Sequence, residues 1–290
     1  MDNEAGLDLC ERCVEIFAIG NELLVGQVQD TNSYWLIRSL TALGARVRRA
    51  VVLRDEYDEI ADALTSALKR RPRLILTTGG LGPTDDDLTM RALARALGLD
   101  LVEDPLALEM VRKRYENLAK TRTNITAELN AARRKMALLP RTGTPIVNPN
   151  GAAPGVVLEV NGSGTTIVSL PGVPAEMKDI YGTSLQPILA RTIGSGGYVE
   201  HTLVLDRGDE SHIAASLQEV QATYPAVYIK SRGQLLEDGA HLTVVLSAGG
   251  NNLSVLSHDI TQAEGELVTN LQSMGYGVKR IVVNQATSLH

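Results

Sequence analysis

The chain has 290 residues, 44% hydrophobic and 21% charged, which is enough apolar material for one large domain or two smaller ones. A net charge of −6 removes any global electrostatic case for nucleic acid, and 3% aromatic residues leave little for base stacking. No apolar run approaches the ~20 residues of a membrane span. The acidic start, Met1 to Gly6, has no basic-then-apolar signal pattern, so the sequence reads as cytoplasmic with no membrane partner.

Residues 1–10 read as a loose leader. The only cysteines, Cys10 and Cys13, are spaced Cys-x-x-Cys. Zinc would need two further ligands, no histidine precedes His201, and the pair stands before a strand instead of opening a helix. Val14 to Ile19 predicts a buried strand ending at Gly20. Leu36, Leu40 and Leu43 predict a helix over 33–43, stopped by Gly44. Val47 to Leu53 predicts a second strand. Asp55 is read as the cap of a helix with Ile60, Leu64 and Leu68 on one face, ended by Pro72.

Leu74 to Thr78 is short, apolar and β-branched, as expected of a strand covered on both faces. Gly79, Gly80 and Gly82 then allow a sharp turn and a close approach of backbone to a ligand. Three carboxylates follow, Asp85 to Asp87, before a helix carrying Leu88, Leu93 and Leu97 and closed by Gly98. Such a loop, at the carboxyl end of a strand and feeding a helix, is where open α/β sheets bind ligands, and its bare N–H groups favour anions. A phosphate cradle walled by acids fits a bridging divalent cation, since Mg²⁺ is held by one or two carboxylates plus substrate phosphates. Each acid taken alone is equally explained as a cap or a favoured charge in the first helical turn. The stretch is neither a Walker loop nor a GxGxxG fingerprint.

After Gly98 the pattern is helical for roughly 35 residues with a break near Asn124. Its basic triplets, Arg112 to Arg114 and Arg133 to Lys135, read as solvated faces. Asn148 to Gly155 is a loop of turn formers, followed by strands at Val156 to Val160 and Thr166 to Leu170. Leu170-Pro-Gly-Val-Pro174 then feeds a helix near Ala175. These strand-end loops, together with Glu22, Asp30 and Asp87, look like the rim of one pocket. Gly194 to Gly197 reads as a linker dividing a domain over 1–193 from a second over 198–290. The second has the order βαββα, a small α+β domain. Its histidines, His201, His212, His241 and His258, are scattered and are read as surface or satisfied residues.

Four stretches carry a resemblance. Gly20 to Asn32, Thr78 to Thr89, Asn148 to Gly155 and Leu170 to Pro174 are similar, in the same order, to loops of the CinA family, whose N-terminal domain has the molybdopterin-binding fold of MoaB and MogA. The resemblance covers roughly residues 12–185 and implies a three-layer α/β/α domain with a mostly parallel sheet, often in homo-oligomers. It implies metal-dependent hydrolysis of ADP-ribose to AMP and ribose 5-phosphate, with Mg²⁺, Mn²⁺ or Co²⁺. MogA-type relatives instead bind and adenylylate molybdopterin. A nucleotide-binding module without catalysis is a third alternative.

The two catalytic aspartates of MogA-type enzymes fall on Asp30 and Asp87 in this sequence. Asp87, with Asp30 or Asp86, is expected to hold the cation, and Glu22 to orient a water or a ribose hydroxyl. The expected substrate contacts are Gly20 and Asn32, then Thr78, Gly79, Gly80, Gly82, Pro83, Thr84 and Thr89. Asn148, Gly151, Pro171 and Gly172 complete them. Leu81, where MogA-type loops usually have Thr, favours the CinA type. Arg133 and Met136 replace an Asn and a Gln common in the family, and Arg133 is the candidate to pair with a phosphate instead. The chain reaches His290 before any nicotinamide mononucleotide deamidase domain, so that activity is not expected.

Overall fold

A computed structural model describes residues 12–207, 209–236 and 239–286. The expected leader, with Cys10, lies outside them, while Cys13 is buried at the start of the first strand. The described chain forms two compact units. The first runs through Arg38 and again from Arg46 to Gly194; the second comprises Ser39–Ala45 and the chain from Ser195 onward. No helix among the described residues is long and apolar enough to cross a membrane.

In chain order, the first unit begins with β1 (Cys13–Ile19), α1 (Asn21–Leu24), α2 (Thr31–Ala42), β2 (Arg46–Leu53), α3 (Tyr57–Lys69), β3 (Leu74–Thr78) and α4 (Thr89–Leu97). It continues with β4 (Leu101–Glu103), α5 (Pro105–Thr121), α6 (Ala131–Lys135), β5 (Leu138–Pro140), β6 (Thr144–Ile146), β7 (Gly155–Val160) and β8 (Thr165–Leu170). It ends with α7 (Pro174–Ile180), a π-helical turn over Tyr181–Leu185, and α8 (Gln186–Ile193).

Six of these strands make one sheet in the order β2-β1-β3-β8-β7-β6. The pairs β1–β2, β1–β3 and β3–β8 are parallel; β7 and β6 add antiparallel. Every residue of β1, β3 and β8 is buried, as expected for strands covered on both faces. Phe17, Ile19, Ile75 and Ile167 on one face share a core with Ile60 and Leu64 of α3 and Leu93 of α4. The alternate residues Ile16, Leu74, Leu76 and Val168 are equally buried on the other face. Burying a side chain of this size contributes ~1.5–3 kcal/mol, so two-sided covering fixes these strands firmly. Within this core Glu15 is 1% exposed, and the Arg70 guanidinium grips its carboxylate in two hydrogen bonds of 2.8 and 2.5 Å.

Two consequences of the strand order position the site. From β1 the chain goes to β2 on one side and then to β3 on the other, so the sheet reverses direction between β1 and β3. That is the switch point at which open α/β sheets take ligands. Because β7 is antiparallel, with Val156 opposite Ser169, the loop that precedes it reaches the same edge as the ends of β1, β2, β3 and β8. Gly20, Asp55, Gly79, Ala153 and Pro171 thereby gather at one rim.

Several local expectations are corrected. Asp55 does not cap α3: Glu56 holds that position without a side-chain bond, and Asp55 instead accepts the Asn21 N–H at 2.7 Å. The long helical region after Gly98 is interrupted. A short antiparallel pair, β4 with β5, joins Leu101 to Pro140 and Val102 to Leu139, and α5 and α6 are separated by residues 122–130. Asp104 and Asn130 cap α5 and α6 by accepting the N–H groups of Ala107 and Arg133, each cap contributing about 1 kcal/mol.

The second unit contains β9 (Gly197–Leu205), α9 (Glu210–Thr223), β10 (Tyr228–Leu236), β11 (Gly239–Gly250), α10 (Leu253–Ser273) and β12 (Val278–Ala286). The final strand was not expected, so the order is βαββαβ. Its four strands lie β10-β11-β9-β12, all neighbours antiparallel, which is the split βαβ arrangement. Val199, Leu203 and Leu205 of β9 share a core with Ile213 of α9 and with Ile260 and Leu267 of α10.

Candidate functional site

The rim encloses a cleft of about 500 Å³. Its floor is the glycine turn. Gly79 has φ +99°, and a Cβ there would lie 2.0 Å from the Ile19 carbonyl oxygen, so β1 and β3 approach too closely for any side chain. Gly80 has φ +65°, and a Cβ there would lie 2.2 Å from the Thr89 hydroxyl, which itself donates to the Gly79 carbonyl at 2.8 Å. Thr89 thus builds the turn instead of facing a ligand. The backbone N–H groups of Gly80, Leu81 and Gly82 have no protein acceptor among the described residues. They form a cradle of free donors at the end of a strand.

Acids line the same cleft. Asp87 is held by Thr84, whose N–H and hydroxyl donate to its Oδ2 at 2.9 and 2.6 Å. Asp86 follows on the same loop, its carboxyl held below the usual carboxylate range by the neighbouring Thr84 side chain first, then by its own backbone N–H and by Lys135. Glu22, Asp55 and Glu176 complete the acidic wall. Burial pushes the Asp55 carboxyl up, against the Asn21 N–H that stabilises its anion, and the charges of Glu22, Asp86 and Asp87 add to the rise. Tyr115, Met136, Pro83 and Val173 supply the less polar surface.

The expected residues therefore separate into groups. Gly20, Glu22, Gly79, Gly80, Gly82, Pro83, Thr84, Asp86, Asp87, Pro171 and Gly172 line the cleft together. Asp30 does not: its carboxylate accepts the Ser33 N–H at 2.9 Å near the start of α2. The second strand-end acid beside Asp87 is Asp55, which the sequence pattern had consigned to a cap. Thr78 is buried at the end of β3. Asn32 is buried and ties α2 to the opposite rim by donating to the Gly172 carbonyl at 2.7 Å. Asn148 and Gly151 line a separate groove. Asn148 accepts the Gly151 N–H and donates to Ala153 and to Glu176, so it fixes the loop and aims an acid, Glu176, that sequence reasoning missed.

Arg133 is occupied elsewhere. It donates to the carbonyls of Thr126 and Glu128 and lies 3.7 Å from the centre of the Tyr115 ring, so it supports Tyr115 and has no donor committed to the cleft. Lys135, from the same supposedly solvated triplet, reaches the carbonyls of Gly82, Thr84 and Asp87.

Among the described residues, no three His, Cys, Asp or Glu side chains converge to cage an ion by themselves. The donor set fits a cation of the Mg²⁺ type, for which one or two carboxylates and ligand phosphates suffice. Five carboxylates around a cradle of anion-binding N–H groups suit a negative ligand only when a cation is shared between them.

The family described as "Probable molybdopterin binding domain" matches residues 15–191, a span that contains every wall of this cleft. The chain belongs to that family. A protein from Aeropyrum pernix is 38% identical over 266 residues, covering 92% of this chain and 93% of its own. One from Pyrobaculum arsenaticum is 40% identical over 238 residues, covering 81% of this chain and 86% of its own. The solved structure of the protein CinA from Thermoplasma acidophilum, described as of unknown function, is 37% identical with a TM-score of 0.55. It covers 61% of this chain and 98% of its own length. The first unit thus carries the probable molybdopterin binding domain, and its likeness to the CinA structure extends over it.

Proposed function

We propose that this molybdopterin-binding-type domain is a metal-dependent nucleotide pyrophosphatase that adds water across the phosphoanhydride of ADP-ribose, releasing AMP and ribose 5-phosphate. The observation that carries this reading is the meeting of unbonded N–H groups at Gly80 to Gly82 with Asp55, Asp86 and Asp87 at the sheet's switch point. Asp87 with Asp86 or Asp55 would hold Mg²⁺, Mn²⁺ or Co²⁺, which supplies charge neutralisation and water activation when bound. The glycine N–H groups hold the diphosphate oxygens as charge builds on the leaving phosphate. Thr84 keeps Asp87 in one rotamer. Asp55, whose carboxyl binds protons more readily than usual, and the exposed Glu22 are the cleft acids available to take a proton from the attacking water.

The test is product analysis with ADP-ribose and each metal, on the wild type, Asp87→Ala and Asp55→Asn. Release of AMP that both variants lose supports the mechanism; no AMP with any metal, or full turnover by Asp87→Ala, overturns it. Tight binding without turnover would make the domain a binding module, an outcome favoured by the apolar Met136 on the wall. The family match favours one further reading, molybdopterin binding or adenylylation. Pterin retained through purification, or pterin-dependent ATP consumption, would select it.

A further inference from the structure

We infer that Lys135 is a positioning residue for this site, holding the Gly82–Asp87 loop from behind so that Asp87 presents its carboxylate to the cleft's cation. This rests on the cation reading of the cleft.

Lys135 is the last residue of α6, and it lines a second cavity of about 460 Å³ on which Gly80, Leu81, Gly82 and Asp87 also border. It does not line the first. Its ammonium donates to the Asp87 carbonyl at 2.8 Å, to the Gly82 carbonyl at 3.4 Å and to the Thr84 carbonyl. An ammonium has three N–H donors, and three acceptors saturate it, leaving nothing for a substrate. Burial lowers its pKa from the usual lysine range, opposed by the charges of Asp87, Asp85 and Asp86. A half-buried cation that chooses three carbonyls, with three carboxylates nearby, is serving backbone geometry.

The loop needs such a tie. Its glycines leave the main chain free to move. The bonds between Thr84 and Asp87 close a turn within the loop but do not anchor that turn to another element. Lys135 anchors it to α6.

Positioning and bare electrostatics predict opposite signs. A positive charge near the acids opposes cation binding, so its removal alone would tighten the cation. If Lys135 positions Asp87, removal weakens it. Mn²⁺ titrations followed by electron paramagnetic resonance should therefore show Lys135→Met binding about 10-fold more weakly than wild type, the effect usual for an outer support of a ligand. Lys135→Arg should fall between the two. Hydrogen exchange over residues 82–89, read without metal and well below the melting temperature, should be faster in Lys135→Met. Equal or tighter Mn²⁺ binding by Lys135→Met, or unchanged exchange, overturns the inference. A wild type that binds no Mn²⁺ brings down the cation reading itself, and the positioning role with it.

Discussion

Thr84 and Asp87 are joined through a single carboxylate oxygen: the Thr84 N–H and hydroxyl both donate to Oδ2, at 2.9 and 2.6 Å. Oδ1 has no protein donor among the described residues, so one oxygen sets the rotamer and the other is available to a ligand. Thr84→Val keeps the backbone bond and removes the hydroxyl. A hydrogen bond to a charged group contributes about 1.5–3 kcal/mol, so kcat/KM should fall by about 10- to 100-fold. Thermal unfolding should shift little, because Thr84 is exposed. Steady-state kinetics beside a melting curve checks both; unchanged turnover would deny Asp87 its role.

Two glycine substitutions should separate scaffold from chemistry. Gly79→Ala forces a side chain into φ +99° against the Ile19 carbonyl at 2.0 Å, and neither strand can yield without loss of pairing. A stability loss of about 3 kcal/mol or more is expected in urea. At Gly82 the backbone has no positive φ, and the atoms nearest an added Cβ belong to the Asp87 carboxylate, the first at 2.6 Å. Gly82→Ala should therefore fold normally, displace that carboxylate and lose turnover. A folded, fully active Gly82→Ala would remove Asp87 from the mechanism.

The acidic wall has a pH signature. The Asp55 carboxyl is raised by burial first and by Glu22, Asp86 and Asp87 after it. Folding then favours the protonated form, so its contribution to stability is full below the ordinary carboxylate range and is lost as pH rises through the raised folded value. Asp55→Asn, which can still accept the Asn21 N–H, should melt higher than wild type at neutral pH, with the gain fading in acid. A bound divalent cation should shrink the difference by neutralising the neighbours. Melting temperatures across pH, with and without Mg²⁺, check this; a neutral-pH melting temperature below wild type would contradict it.

Much of this site is legible in the chain because its signals are local. Leu74 to Thr78 can only be a covered strand, and Gly79, Gly80 and Gly98 fall where positive φ is required. The misses share a cause. Asp55 and Asp30 are both acids just before a helix, and composition does not reveal that Asp30 caps while Asp55 turns back to Asn21. Lys135 looks like its solvated neighbour Arg134, which pairs with Glu103 on the surface; only the fold shows that a carbonyl-lined loop lies in its reach. β4 and β5 pair segments far apart in sequence, and periodicity carries no record of such pairing. β12 was hidden because Lys279 and Arg280 interrupt its apolar run.

Arg280 also reaches His201, the one histidine buried among the described residues. His201 lies in the core face of β9, 3% exposed, with its Nδ1 at 2.5 Å from Glu264 Oε2 on α10 and 3.0 Å from Arg280 Nη2. A carboxylate only accepts, so the consistent assignment places a proton on Nδ1, donated to Glu264, which also accepts from Arg280 at 2.8 Å. Glu264 is the common acceptor, and its removal strands the buried His201 donor in the apolar core, while the half-exposed Arg280 can turn to water. Glu264→Ala should therefore destabilise the second unit by about 3 kcal/mol, more than Arg280→Ala, which leaves the His201–Glu264 bond in place. Glu264→Gln, which still accepts, should recover part of the loss. Calorimetry on the three variants checks the order, and an Arg280→Ala loss larger than that of Glu264→Ala would refute the assignment.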